Sequence, residues 1–164
     1  MKKLDSEGSK LCSYQAEIFE KSVKRFQCSS KIFLRRFFNS EFAFYLDIPL
    51  GRIFSFDTEE CYLSMLEDYG DSTYGKIKLS PKVLHYLGYI TRYICYTRNI
   101  TSGHLYRLIN IYDIADNYEI YHTQDEEWVI ANILLKEHLE EKDLDEDEIL
   151  KDLFRKYYKS KLDH

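Results

Sequence analysis

Proline and glycine are scarce in this chain, with two Pro and six Gly among 164 residues. That scarcity excludes a loop-rich β-domain and a disordered chain. Cysteine is sparse too. Cys12, Cys28, Cys61 and Cys95 form no C-x-x-C pair, and no His sits beside them at zinc-ligand spacing. They read as buried, reduced thiols, which points to the cytoplasm and to no metal. The start, "MKKLDSEGSK", has no apolar h-region and so is not a signal peptide. No apolar run approaches the ~18 residues of a membrane span. Phosphate-binding loops of the P-loop and dinucleotide kinds are missing, as are a G-x-S-x-G elbow and an H-E-x-x-H pair. No cofactor is implied.

Aromatic side chains are plentiful instead: fifteen Tyr and ten Phe. A chain of this length buries roughly two thirds of its unfolded surface and needs no staple. The net charge is −5, unevenly placed. Lys21, Lys24, Arg25, Lys31, Arg35 and Arg36 have no acid among them, while residues 125–148 are strongly acidic. Such asymmetry fits solvated helical faces first, and a nucleic-acid surface second.

Apolar periodicity predicts a mainly α fold, a compact domain of about six to seven helices over 1–138. An acidic linker and an amphipathic C-terminal helix would follow over 139–164. The first helix is expected from Leu11 to Phe26. "QCSS" breaks it, with Ser29 or Ser30 as the next N-cap. "KIFLRRFFNSEFAFYL" then reads as one helix, apolar around much of its circumference. "DIPLGRIFSFD" is a loop with a short extended piece in "RIFSF". Asp57 and Glu60 form a capping box for a helix through Tyr69, ended by Gly70.

Ser80-Pro81 starts a helix to about Thr97, with Ser as N-cap and Pro at N1. Val83, Leu87, Ile90 and Ile94 make one stripe, and Tyr86, Tyr89, Tyr93 and Tyr96 a second. Gly88, Thr91 and Cys95 form a small-residue face, leaving His85 and Arg92 as a narrow polar strip. This helix is expected at the centre of the domain. Four Tyr hydroxyls need outlets, so their stripe should border solvent or a partner. "NITSG" ends it, and a short helix follows, capped by Thr101 or Ser102. In "NYEIYHTQDEEWVI" Thr123 is expected as N-cap with Glu126 completing a capping box, over an acidic first turn. His122 precedes the cap and is either a satisfied structural histidine or, with Tyr118 and Tyr121, part of a partner-binding surface.

Three functional readings arise. Arg98 and His104 read as R-N-x-x-x-x-H, which resembles the R-x(4–6)-H pattern of HEPN-type RNases, where a cation and a general acid/base act on a phosphodiester. The helix break between them sets the two on different helices, and Arg98 also suits a helix C-terminus. The basic helix–"QCSS"–helix offers Lys24, Arg25, Arg35 and Arg36 to DNA phosphates, although its second helix carries few base-reading side chains.

The third reading comes from a resemblance. "ITSGHLYRLI", then "YEIYHTQ", then an apolar helix ending near Leu135 resemble a family of small bacterial proteins. These are encoded beside predicted ADP-ribosyltransferase-like toxins and are thought to be antitoxin or accessory components. The family-like core covers about 80–137. "CSSKIFLRRFFNSEFA", "YGDSTYG" and "YLGYITRYICYT" resemble a longer relative, extending the likeness over most of 20–137. The C-terminal helix departs from the pattern. The resemblance implies a non-catalytic component of a toxin–antitoxin-like module that occludes a partner protein, plausibly such a toxin. Aromatic anchors are the side chains to expect there: Tyr86, Tyr89, Tyr93, Tyr96, Tyr106 and His122. A homodimer and a DNA contact stand as further partners.

Overall fold

The computed structural model describes residues 1–48, 54–144 and 156–157. The fold is mainly α, as the periodicity predicts, with no strand among the described residues. The order is α1 (Ser6–Arg25), α2 (Ser30–Phe38), α3 (Glu41–Asp47), α4 (Thr58–Tyr69), α5 (Pro81–Arg98), α6 (Ser102–Leu108), α7 (Ile111–Asp116), α8 (Tyr118–Tyr121) and α9 (Glu126–Lys136). A short 3-10 turn covers Glu141–Leu144.

Side-chain oxygens start most of these helices. Asp5, Ser29, Ser40, Asp57, Ser80, Thr101, Asn110 and Asp125 each accept a backbone N–H from the first turn. Ser40 corrects the single helix expected over residues 31–46. It caps α3 and splits the segment, because its hydroxyl also donates to the Phe37 carbonyl and closes α2. Asp125 corrects another expectation. It caps α9 by accepting from Trp128 N, while the Thr123 hydroxyl turns back to the Ile120 carbonyl. At α4 the expected box is altered: Glu60 takes the Ser55 hydroxyl at 2.7 Å.

α1 and α5 run antiparallel through the middle of the domain. Lys2 N donates to Thr97 O, Gln15 bonds α5 at Gly88 and Thr91, and Glu20 faces His85. Gly88 permits this approach, since a Cβ there would lie 2.7 Å from Gln15 O. Phe19 of α1 meets Phe33, Phe37 and Phe38 of α2 edge-on at 4.9–5.8 Å, a favoured aromatic geometry. Tyr62 of α4 donates to Ile18 O, and Val129, Ile130, Ile133 and Leu134 of α9 complete the core. The Lys78 ammonium caps the end of α1, donating to Val23 O and Phe26 O at 2.6 Å.

Arg92 is the largest departure from expectation. It does not line a surface strip but is fully buried, at 0% exposure. Its Nη1 pairs with Asp47 Oδ1 at 2.6 Å, Nε donates to Gln15 Oε1 at 2.8 Å, and Nη2 donates to Ser102 Oγ at 2.8 Å. Asp47 also accepts from the backbone N–H and hydroxyl of Ser102. Four helices, α1, α3, α5 and α6, are tied at this point. Burial pushes the Asp47 carboxyl up, against the pull of Arg92 and Ser102.

The described part of the acidic segment packs on the domain. Leu144 is buried, and Glu141 binds Arg98. The expected amphipathic C-terminal helix falls outside the described residues, save for Lys156 and Tyr157.

Candidate functional site

The Tyr stripe of α5 is divided among different surroundings. At its C-terminal end Tyr96 donates to Asp5 Oδ1 at 2.6 Å, with the Lys2 ammonium 3.8 Å over its ring. Tyr93 donates to Glu127 Oε1 at 2.7 Å. Those hydroxyls find their outlets inside the chain, and burial together with the acceptor carboxylates pushes both phenols up. Tyr106 lies elsewhere, stacked on Phe38 at 5.4 Å and within 3.4 Å of the Tyr112 hydroxyl.

Tyr86 and Tyr89, toward the N-terminal end, line an open groove of about 340 Å³ together with Glu20, Lys82, His85, Tyr118 and His122. Three of the six aromatic candidates, Tyr86, Tyr89 and His122, therefore meet at one place. α5 supplies the floor, because Lys82, Tyr86 and Tyr89 recur at spacings of four and three and share a face. α8 supplies a wall. The His122 ring stacks on Tyr118 at 4.4 Å with an interplanar angle of 11°. Tyr86 meets Tyr118 edge-on at 5.8 Å. His122 Nδ1 lies 2.7 Å from Tyr118 O. A carbonyl only accepts, so Nδ1 carries the proton, and in the neutral ring Nε2 is left as an acceptor. Lys82 Nζ stands 5.7 Å over the Tyr118 ring, and Glu20 lies 3.8 Å from His85 on the opposite side.

One atom of this groove is out of balance. The Tyr86 hydroxyl is buried and has no hydrogen-bond partner among the described residues. Buried polar atoms in folded proteins are overwhelmingly paired. Burial pushes the phenol up, so it is a neutral O–H that is left without an acceptor. The groove offers π faces and ring nitrogens, while the hydroxyl of its lining residue Tyr86 is itself closed to solvent. Neither Ser, Thr nor Cys is among its lining residues.

The other sequence candidates are largely committed elsewhere. Arg98 is buried and clamped by Glu127 at 2.5 Å and Glu141 at 3.0 Å. It ends α5, whereas His104 lies on α6 beyond the left-handed Asn99. An RNA phosphate at Arg98 would have to displace two carboxylates. Among the basic residues, Arg25 forks onto Glu59, and Arg36 donates to Gly70 O while lying over Tyr69. Lys24 and Arg35 remain exposed. All four cysteines are buried thiols, and burial pushes Cys12 and Cys95 up to about 12, which suits packing rather than reactivity. No cluster of metal-ligating side chains and no helix long and apolar enough to cross a membrane occurs among the described residues.

Lys82 and His85 join the site without having been singled out from the sequence as binding residues. The signal for Lys82 was its place one turn before Tyr86. Glu20 gave no signal, because it arrives from α1 through the α1–α5 pairing. No family model matches this chain, and neither does any curated protein or solved structure.

Proposed function

We propose that this chain is a non-catalytic, protein-binding component that acts by occluding a partner, and that the partner anchors in the Tyr86–Tyr89–Tyr118–His122 groove. The observation that carries this reading is a groove walled by aromatic rings, one of whose lining residues, Tyr86, has a buried hydroxyl that lacks a partner among the described residues. The few side chains that dominate binding energy sit in pockets that lose their water when the partner docks. The fitting anchor is an arginine. The Tyr118 face already holds the Lys82 cation, Glu20 supplies a carboxylate, and the chain carries a net charge of −5. A guanidinium there can pair with the Glu20 carboxylate and lie against the Tyr89 ring, while the Tyr86 O–H, which needs an acceptor, is met by a backbone carbonyl of the same partner segment. That the partner is an ADP-ribosyltransferase-like toxin, with this chain as antitoxin or accessory protein, rests on the family resemblance of residues 80–137.

The test is capture from the native host with an N-terminally tagged chain, followed by mass spectrometry. A stoichiometric protein encoded nearby is expected. Tyr89→Ala and His122→Ala should each weaken its binding ~10-fold or more, as anchor contacts do. If the clean protein neither binds nor suppresses its genomic neighbour, the reading fails.

A further inference from the structure

α9 buries one face and shows a second apolar one. Val129, Ile130, Ile133 and Leu134 are in the core, yet Trp128 is 42% exposed and Leu135 76% exposed. Ala131, between them, is exposed as well. Positions 128, 131 and 135 follow the three-and-four spacing of a single helical stripe. A solvated face needs no Trp and Leu at that spacing.

We infer that this stripe pairs with the same stripe of a second copy of the chain, the two α9 helices running antiparallel about a twofold axis near Ala131. The sequence is arranged for that symmetry. In a twofold contact, residue i meets residue j and j meets i. An axis at the middle of the stripe sets Trp128 of each copy against Leu135 of the other. Ala131 falls at the crossing, where a small side chain lets the helices approach. The flanking charges agree. At about 100° per residue, Asp125 and Lys136 lie on the same flank of the stripe, at opposite ends. Antiparallel pairing therefore brings Asp125 of each copy to Lys136 of the other. A parallel arrangement would set Lys136 and Asp125 of the two copies on opposite flanks and pair neither charge. The Lys136 side chain is 42% exposed, and its ammonium, 3.7 Å from Asp113 and over the Tyr121 ring, would give up these contacts for Asp125 of the other copy.

Eleven residues at about 1.5 Å each make a short contact. It falls short of the ~1,000 Å² that a stable interface clears, so the dimer is a reversible, concentration-dependent one. This site is separate from the Tyr86 groove, and the two proposals stand or fall apart.

Sedimentation equilibrium of the full chain, from micromolar to millimolar concentration, is the test. The average mass should climb from 19.7 kDa toward that of two chains. Emission of Trp128, the only Trp in the sequence, should shift to the blue over the same range. Leu135→Glu and Lys136→Glu should each weaken association ~10-fold or more with unchanged circular dichroism, while Lys136→Arg should preserve it. Tyr89→Ala should leave it intact. A wild-type mass that stays monomeric throughout, or a Leu135→Glu chain that self-associates like wild type, overturns the inference.

Discussion

Arg92 and Tyr86 stand less than two turns apart on α5, and their polar atoms meet opposite fates. Arg92 is sealed at 0% exposure, with Gln15, Asp47 and Ser102 on its nitrogens. The Tyr86 hydroxyl is also out of water but has no partner among the described residues. Elsewhere on the same helix Tyr93, Tyr96 and Arg98 all have acceptors. The helix satisfies these polar groups and leaves the Tyr86 hydroxyl unmet among the described residues, which is why the proposed binding site is set at the groove that Tyr86 lines. Arg92 ties four helices together, whereas no described residue pairs with the Tyr86 hydroxyl.

The largest effect should come from breaking the sealed end. Arg92→Met leaves Asp47 buried without its counter-charge, and unfolding in urea should show a loss of ~3–5 kcal/mol near neutral pH. The sign of its pH dependence follows from Asp47, whose folded-state carboxyl is already pushed up by burial and goes further up without Arg92. A raised carboxyl favours the folded state when protonated. The gap between the variant and wild type should therefore narrow as the pH falls. A gap that stays constant or widens in acid contradicts the role given to Asp47.

A smaller effect belongs to the clamp between α5 and α9. The Arg98 hydrogen bonds hold the Glu127 carboxyl below its ordinary value, against its burial. A depressed carboxyl contributes stability that is complete above its unfolded pKa and lost as the pH falls through the folded one. Glu127 is half exposed, so Glu127→Gln should cost only about 1 kcal/mol at neutral pH. That difference should vanish in acid, as read from paired urea titrations.

The helix starts were the most legible part of the fold. Ser29, Asp57, Ser80-Pro81 and Thr101 carry a local signature, because a cap bonds a backbone group two or three residues on. Where two such signals compete within a few residues, as Thr123 and Asp125 do, spacing alone does not choose. The break at Ser40 was hidden because Phe37, Phe38, Phe42 and Phe44 continue the apolar run across it, which masks the change of direction. Arg92 was illegible for a different reason. Arginine is rarely buried, and two of its partners, Gln15 and Asp47, lie 77 and 45 positions away. The groove was half legible. Helical spacing puts Tyr86 and Tyr89 on one face, and "YEIYHTQ" draws notice to His122, but only the tertiary fold brings α1, α5 and α8 together there.

The smallest expected change in stability is also the most informative. In Tyr86→Phe the ring and its packing remain, and only the unpartnered hydroxyl is lost. Urea unfolding and titration with the captured partner should be measured on the same preparation. Removing an unsatisfied buried hydroxyl should leave stability unchanged or raise it by up to about 1 kcal/mol, while affinity for the partner drops ~10-fold or more. A variant that loses stability yet binds as wild type would show that the Tyr86 hydroxyl serves the fold, and the groove would no longer be the binding site.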